Sequence, residues 1–372
     1  MTVRRLAVPI VIALTMLGAV AAPSGAATNA AKRPKVPVVR HVFVINLENT
    51  SYDSSFGPSS PAPYLSKELA AKGQLLSQYY AIGHVSLDNY IAEISGQGPS
   101  KSTQIDCIVY KEFTATGTGA NGQVLGDGCV YPKSVKTIAD QLAAKGLKWR
   151  GYMEDIGASA TEAKTCRHPA IGAVDKTIVA HTGDQYATRH DPFVYFHSIV
   201  DSPTCAQNVV GLDALAADLK TAKRTPNFAF ITPNVCHDGH DKPCVDGAPG
   251  GLVSADAFLK EWAPKILASP AFRKDGMLMV TFDEAEGSDS SDCCGPTPTP
   301  NVAQAGGSGP GGGRVGAVVV SRFVKPGSTN ATPYNHYALL CSIEDVFRLP
   351  HLGLAGRPGL KCFGRDVYGK KG

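Results

Sequence analysis

Three apolar runs that each break off into polar, chemistry-bearing residues restrict this chain more than any other feature. The first runs from His41 to Leu47, with β-branched Val42, Val44 and Ile45, and gives way to Glu48, Asn49 and a polar turn. Residues 228–234 lead into Cys236-His237-Asp238-Gly239-His240-Asp241, and residues 277–282 end in Asp283-Glu284. Apolar runs that do not alternate with polar residues fit strands covered on both faces. Set side by side and parallel, such strands would bring all three clusters to one sheet edge, where open α/β sheets hold ligands.

Helical and strand patterns alternate along the rest of the chain. Helices are predicted over 63–72, 134–145, 212–222, 254–267 and 335–347, and further strands over 75–80, 147–153, 227–233 and 315–320. That alternation predicts an α/β fold, a mainly parallel sheet with helices on both faces, as a single domain over 37–372. The 43% hydrophobic content is ample for its core. Residues 99–132 read as a long Gly/Thr/Ser-rich excursion and 155–192 as irregular. The Gly/Pro/Ser-rich tract 287–313 has too little apolar content to order itself; it reads as a surface insertion in preference to a flap.

Arg4 and Arg5, an apolar run to Ala22 and the small residues 24–26 fit a secretory signal over 1–26, with 27–36 an exposed lead-in and no membrane span once the signal is removed. Removal leaves 34 basic against 32 acidic side chains, a balance of +2 that gives no case for nucleic-acid binding. Ten cysteines behind an export signal argue for disulfides. Sequence order suggests Cys107 with Cys129, Cys166 with Cys205, Cys236 with Cys244, and Cys341 with Cys362. Adjacent Cys293 and Cys294 either pair with each other or disturb the other pairs.

Glu48, Asn49, Asp283 and Glu284 offer hard oxygen ligands for a divalent cation of open identity. Ser86 is the best nucleophile candidate: it sits at a predicted helix N-cap, His84 is two residues before it, and Asn89, one turn on, could donate to a phosphate oxygen. Its neighbours Val85 and Leu87 depart from the Gly-x-Ser-x-Gly form of acyl-transferring serine hydrolases. A Cys236/His237/His240/Cys244 zinc site is a crowded alternative in an exported chain.

Six motifs then occur in one order: Glu-Asn-x-Ser-Tyr-Asp at 48–53, His-Val-Ser-Leu-Asp-Asn-Tyr at 84–90, Arg-His-Asp-Pro-Phe at 189–193, Pro-Asn through His-Asp at 233–241, Asp-Glu at 283–284, and His-Tyr through Leu-Gly at 336–353. Together they resemble the bacterial phosphoesterase family of secreted acid phosphatases and phospholipases C, related to the alkaline phosphatase superfamily. The resemblance implies that superfamily's fold and a metal held by Glu48, Asn49, Asp283 and Glu284. It further implies Ser86 as nucleophile, Asn89 as phosphate donor, and Asp238, His240 and His336 completing the pocket, with His240 or His336 protonating the leaving group. His84 and His190 are expected on the phosphate. The expected substrate is a small phosphate monoester, with phospholipase C action on a phospholipid headgroup as the alternative and a non-catalytic exported binding protein as the third. Asp88 stands where relatives often carry Pro, and His237 where Asn is usual.

Overall fold

The computed structural model describes residues 1–2, 36–295 and 297–369. The expected signal beyond residue 2 and the lead-in up to residue 35 lie outside the described residues. The described residues from 36 onward belong to one compact unit, and among the described residues no helix is long and apolar enough to cross a membrane.

Its centre is an eight-stranded sheet. In chain order the strands are β1 (His41–Leu47), β2 (Gln74–Leu76), β3 (Trp149–Met153), β4 (Val209–Gly211), β5 (Phe228–Thr232), β6 (Gly276–Phe282), β7 (Ala317–Ser321) and β8 (Ser328–Asn330). They lie in the order β8-β2-β7-β6-β1-β5-β3-β4. β1 is paired in parallel with both β5 and β6, so Glu48, the 234–241 loop and Asp283-Glu284 leave the sheet at the same edge. β7 runs antiparallel to β6 and β2. The run 315–320 announces a buried strand but carries no mark of its direction, since burial on both faces looks the same either way.

Every residue of β1, β5 and β6 is buried. Successive side chains of a strand point to opposite faces, so both faces are covered. Helix α1 (Ser86–Ser95) packs with α2 (Ile138–Ala144) and α4 (His336–Phe347), while α3 (Gly251–Ala268) packs with the 64–69 helix and the 270–275 helix. The buried Asp256 of α3 accepts the Tyr64 and Leu65 amides at 3.1 and 2.8 Å, satisfying the start of the 64–69 helix.

Five disulfides join Cys107 to Cys129, Cys166 to Cys205, Cys236 to Cys244, Cys293 to Cys294, and Cys341 to Cys362. The third removes the zinc alternative, because Cys236 and Cys244 have no thiolate left to offer. The 99–132 excursion contains a hairpin, Thr114–Thr118 with Val124–Asp127. The 287–313 tract is held from outside. Asn301 bonds the hairpin at Val124 and Gly126, Gln104 bonds the carbonyls of Gln304 and Ala305, and Gly312 lies between Ala81 and Ala285.

Candidate active site

The strand ends are tied together by backbone bonds. The Glu48 amide donates to the Asp238 carbonyl at 2.8 Å, the Asp283 amide to Leu47 at 2.8 Å, and the Thr50 amide to Glu284 at 3.0 Å. Asn49 takes a left-handed φ of 50°, and its amide donates to Asp283 Oδ1 at 3.0 Å. The Glu284 amide reaches the same oxygen at 2.6 Å. Four acids, Glu48, Asp238, Asp283 and Glu284, are thereby drawn into one buried cluster.

Ser86 lies against it. Its hydroxyl donates to Glu48 Oε2 at 2.9 Å, and Asn49 Nδ2 donates to the same oxygen at 3.3 Å. The sequence predicts Ser86 as the N-cap of α1. Val85 occupies that position instead, and Ser86 is the first residue inside the helix, with its hydroxyl turned to the acids and not to the helix amides.

His190 is fully buried between two of the acids, with Nε2 3.4 Å from Glu48 Oε1 and Nδ1 3.1 Å from Asp238 Oδ2. The Tyr90 ring stacks on it at 5.3 Å. Burial, then Arg189 and His240, pushes its pKa down, which favours the neutral imidazole that ligates or accepts. His84 lies 3.4 Å from Glu284 Oε2 through Nδ1. At the rim, His240 bonds Asp241 Oδ1 through Nδ1 at 2.8 Å and its amide bonds Asp238 Oδ1 at 2.8 Å, while Arg189 Nη2 lies 3.4 Å from His240 Nε2.

Two expected residues stand elsewhere than the sequence suggests. Asn89 spends its whole amide on the 82–85 loop: Oδ1 accepts the Ile82 and Gly83 amides, and Nδ2 donates to the Gly83 and Val85 carbonyls. It has no donor left for a phosphate, so it holds the loop that carries Ser86. His336 is fully buried and both its nitrogens are engaged, Nδ1 3.0 Å from Glu93 Oε1 and Nε2 2.6 Å from the Asp283 carbonyl. A ring so placed cannot reach a leaving group; it braces the strand end from behind. His237 is occupied outside the cluster, against Glu154 at 2.9 Å.

Arg189, Glu93 and Asn46 were not singled out from the sequence. The Arg189 side chain is 5% exposed, and its Nε lies 3.8 Å from Asp106 Oδ2, while Asp106 Oδ1 accepts the Leu87 amide at 3.0 Å. Its place next to His190 was the available signal. Glu93 binds His336 on one side and the Asn46 amide, at 3.0 Å, on the other; it is two helical turns beyond Ser86, the spacing that puts both on one face of α1.

The acids fit a cation. Among the described residues the buried Asp283 Oδ2 accepts no hydrogen bond, and Asp238 Oδ2 and Glu284 Oε2 face only the Nδ1 atoms of His190 and His84, 3.1 and 3.4 Å away. Burial, and then the neighbouring acids Asp283 and Asp238, pushes Glu48 well above the usual carboxylate range; burial, then Asp283 and Asp106, does the same to Glu284. Burial raises Asp283 to about 6. Clustered acids that hold one another from ionising lack a positive charge, and oxygen donors with one imidazole suit a divalent metal. Glu48, His190 and Asp238 can bring one ligand atom each within 4.8 Å of one another, so these three could hold a metal ion.

Asp191, next in chain to His190, gives a pH prediction free of that cluster. Burial lifts its carboxyl to about 7, against opposing hydrogen bonds from Tyr186 and the Phe193 amide. Between the unfolded value near ~4 and about 7 the folded chain keeps a proton that the unfolded chain has lost, so Asp191 makes stability fall as pH rises through that window. Asp191→Asn should remove up to ~4 kcal/mol of that fall. Urea unfolding of both proteins at about pH 4 and about pH 8 reads the difference; equal losses in the two would contradict it.

The phosphoesterase family model matches residues 59–350. The chain is 27% identical to a probable acid phosphatase of Kluyveromyces lactis over 84% of this chain and 59% of that one, and 27% identical to a phosphatidylinositol-3-phosphatase of Mycobacterium tuberculosis over 86% and 81%. It thus spans a little over half the length of the fungal acid phosphatases it matches. A solved protein of the alkaline phosphatase superfamily from Vibrio parahaemolyticus shares the fold, with a TM-score of 0.50, 14% identity, and coverage of 87% of this chain and 71% of that one. A family match over most of the chain, on a sheet that gathers the family's motifs at one edge, means that this chain belongs to the phosphoesterase family.

Proposed function

We propose that the chain is an exported phosphatase that hydrolyses phosphate monoesters through Ser86. The observation that carries this reading is the Ser86 hydroxyl, 2.9 Å from Glu48 Oε2 and at the positive end of α1, beside a cluster of buried carboxylates. Names borne by the relatives, acid phosphatase and phosphatidylinositol-3-phosphatase, support the substrate class. Five disulfides and the signal-like N-terminus support export.

Glu48, Asn49, Asp283 and Glu284, with Asp238 and His190 alongside, would hold a divalent cation. When bound, it supplies the positive charge that eases ionisation of the serine and offsets charge on the phosphoryl oxygens. Ser86 Oγ attacks phosphorus in line, and its proton passes to Glu48 Oε2, the oxygen it already bonds. Arg189 balances charge on the phosphoryl group from the rim. His240, held by Asp241 through Nδ1, delivers a proton to the leaving oxygen. A water molecule then attacks the phosphoserine and yields its proton to His240, and Ser86 recovers its own from Glu48.

The chain from residue 27 onward should, with a divalent cation, turn over a chromogenic phosphate monoester with kcat/KM at least ~10-fold above that for the matching diester. Faster cleavage of the diester or of phosphatidylcholine would replace this reading with phospholipase C.

A further inference from the structure

Six large aliphatic side chains, Ile105, Ile108, Val109, Ile171, Val174 and Val179, stand between 42% and 65% exposed. They lie on two segments distant in sequence that are bonded to each other. Val109 and Val174 form an antiparallel bridge, the Tyr110 amide donates to Ala173 at 2.9 Å, and the Asp175 amide donates to Ile108 at 2.9 Å. Isolated exposed valines need no explanation, but a set gathered on one paired platform marks a contact surface.

The platform is built, not slack. Asp106 and Cys107 hold left-handed φ values of 52° and 50°, a conformation that non-glycine residues keep only when their surroundings impose it, and Cys107 is pinned by its disulfide to Cys129. Both segments also touch the site. Asp106 accepts the amide of Leu87, the residue after Ser86, and the Thr177 carbonyl lies 3.4 Å from Arg189 Nη1.

We propose that this platform is a membrane-contact surface that seats its aliphatic side chains among lipids, so that a phosphate on a lipid headgroup is presented to Ser86. It rests on the hydrolase reading above and names its substrate class. The chemistry of the patch selects lipid over protein. Its large exposed apolar side chains are isoleucine and valine, with exposed Lys111 and Glu112 beside them, and the two segments expose none of the Trp, Tyr, Met or Arg that anchor protein interfaces. Exposed Lys101 and Lys176 sit in or beside the two segments, where they match anionic headgroups.

The test uses the whole exported chain, vesicles of phosphatidylcholine with phosphatidic acid, and the double variant Ile108→Ser/Val174→Ser, whose exposed positions leave folding intact. The parent protein should co-sediment with the vesicles. The variant's partition and its turnover of vesicle phosphatidic acid should each fall ~10-fold or more, with turnover of soluble p-nitrophenyl phosphate and the melting temperature unchanged. Equal partition of the two proteins overturns the proposal, as does a parent that stays in the supernatant. A variant that loses self-association in sedimentation velocity while binding vesicles normally also overturns it, in favour of a second copy on the patch. Vesicle binding lost in the variant, with no p-nitrophenyl phosphate turnover in either protein, keeps the surface and overturns the hydrolase reading instead.

Discussion

Ser86→Ala should lower kcat for a chromogenic phosphate monoester by ~10⁴-fold or more, which corresponds to at least ~5.5 kcal/mol of lost transition-state stabilisation. The size follows from what the substitution removes. Ser86 Oγ is the atom that would form the bond to phosphorus, and it already donates to Glu48 Oε2. The fold should survive, because the loss is one hydrogen bond to a carboxylate that keeps its contact with Asn49 Nδ2. Inorganic phosphate should therefore still bind. A non-catalytic binding protein would show the reverse pattern, with whatever turnover it has indifferent to the substitution.

Glu48→Gln should give an effect as large on activity and of opposite sign on stability without metal. Glu48 is completely buried, and burial together with Asp283 and Asp238 disfavours its charge. Replacing it by a neutral amide of the same shape relieves that repulsion and should stabilise the chelated protein by ~1–3 kcal/mol. The cation-loaded protein should respond in the other direction. Ligand binding to the folded state adds RT ln(1 + [L]/Kd), ~4 kcal/mol at a thousandfold excess over Kd, and the variant forfeits most of it. Thermal unfolding of both proteins with a divalent cation and with chelator reads the two effects. Chelation should lower the melting temperature of the parent strongly and that of the variant little; equal shifts would mean that Glu48 holds no cation.

The parts of this site that the sequence made legible are those carried by strand ends. An unbroken apolar run that stops at Glu48 or Asp283 states both that a strand is buried and where it surfaces, and parallel pairing did the rest. Ser86 was legible as a helix start, but the direction of its hydroxyl was not. A serine there can turn back to cap the helix or outward to another element, and that choice is made by Glu48, 38 residues away. Asn89 misled for a related reason. Its spacing puts it one turn from Ser86, yet helical spacing is silent on which loop folds over that turn, and the 82–85 loop takes every hydrogen bond it can make. His336 carries the motif of a rim residue and occupies a fully buried place, because Glu93 and the Asp283 carbonyl claim both nitrogens. Arg189 gave a weak signal, an arginine beside a histidine, and only its 5% exposure sets it apart from a solvated cation.

The most direct measurement is peptide mapping by mass spectrometry after the cation-loaded protein is mixed with a phosphate monoester and quenched in acid. Phosphate on Ser86, appearing within one turnover and absent from Ser86→Ala, is the result expected from a serine held 2.9 Å from Glu48 at the edge of a buried acidic cluster. Steady turnover with Ser86 unmodified, or with phosphate trapped on His240, would contradict it.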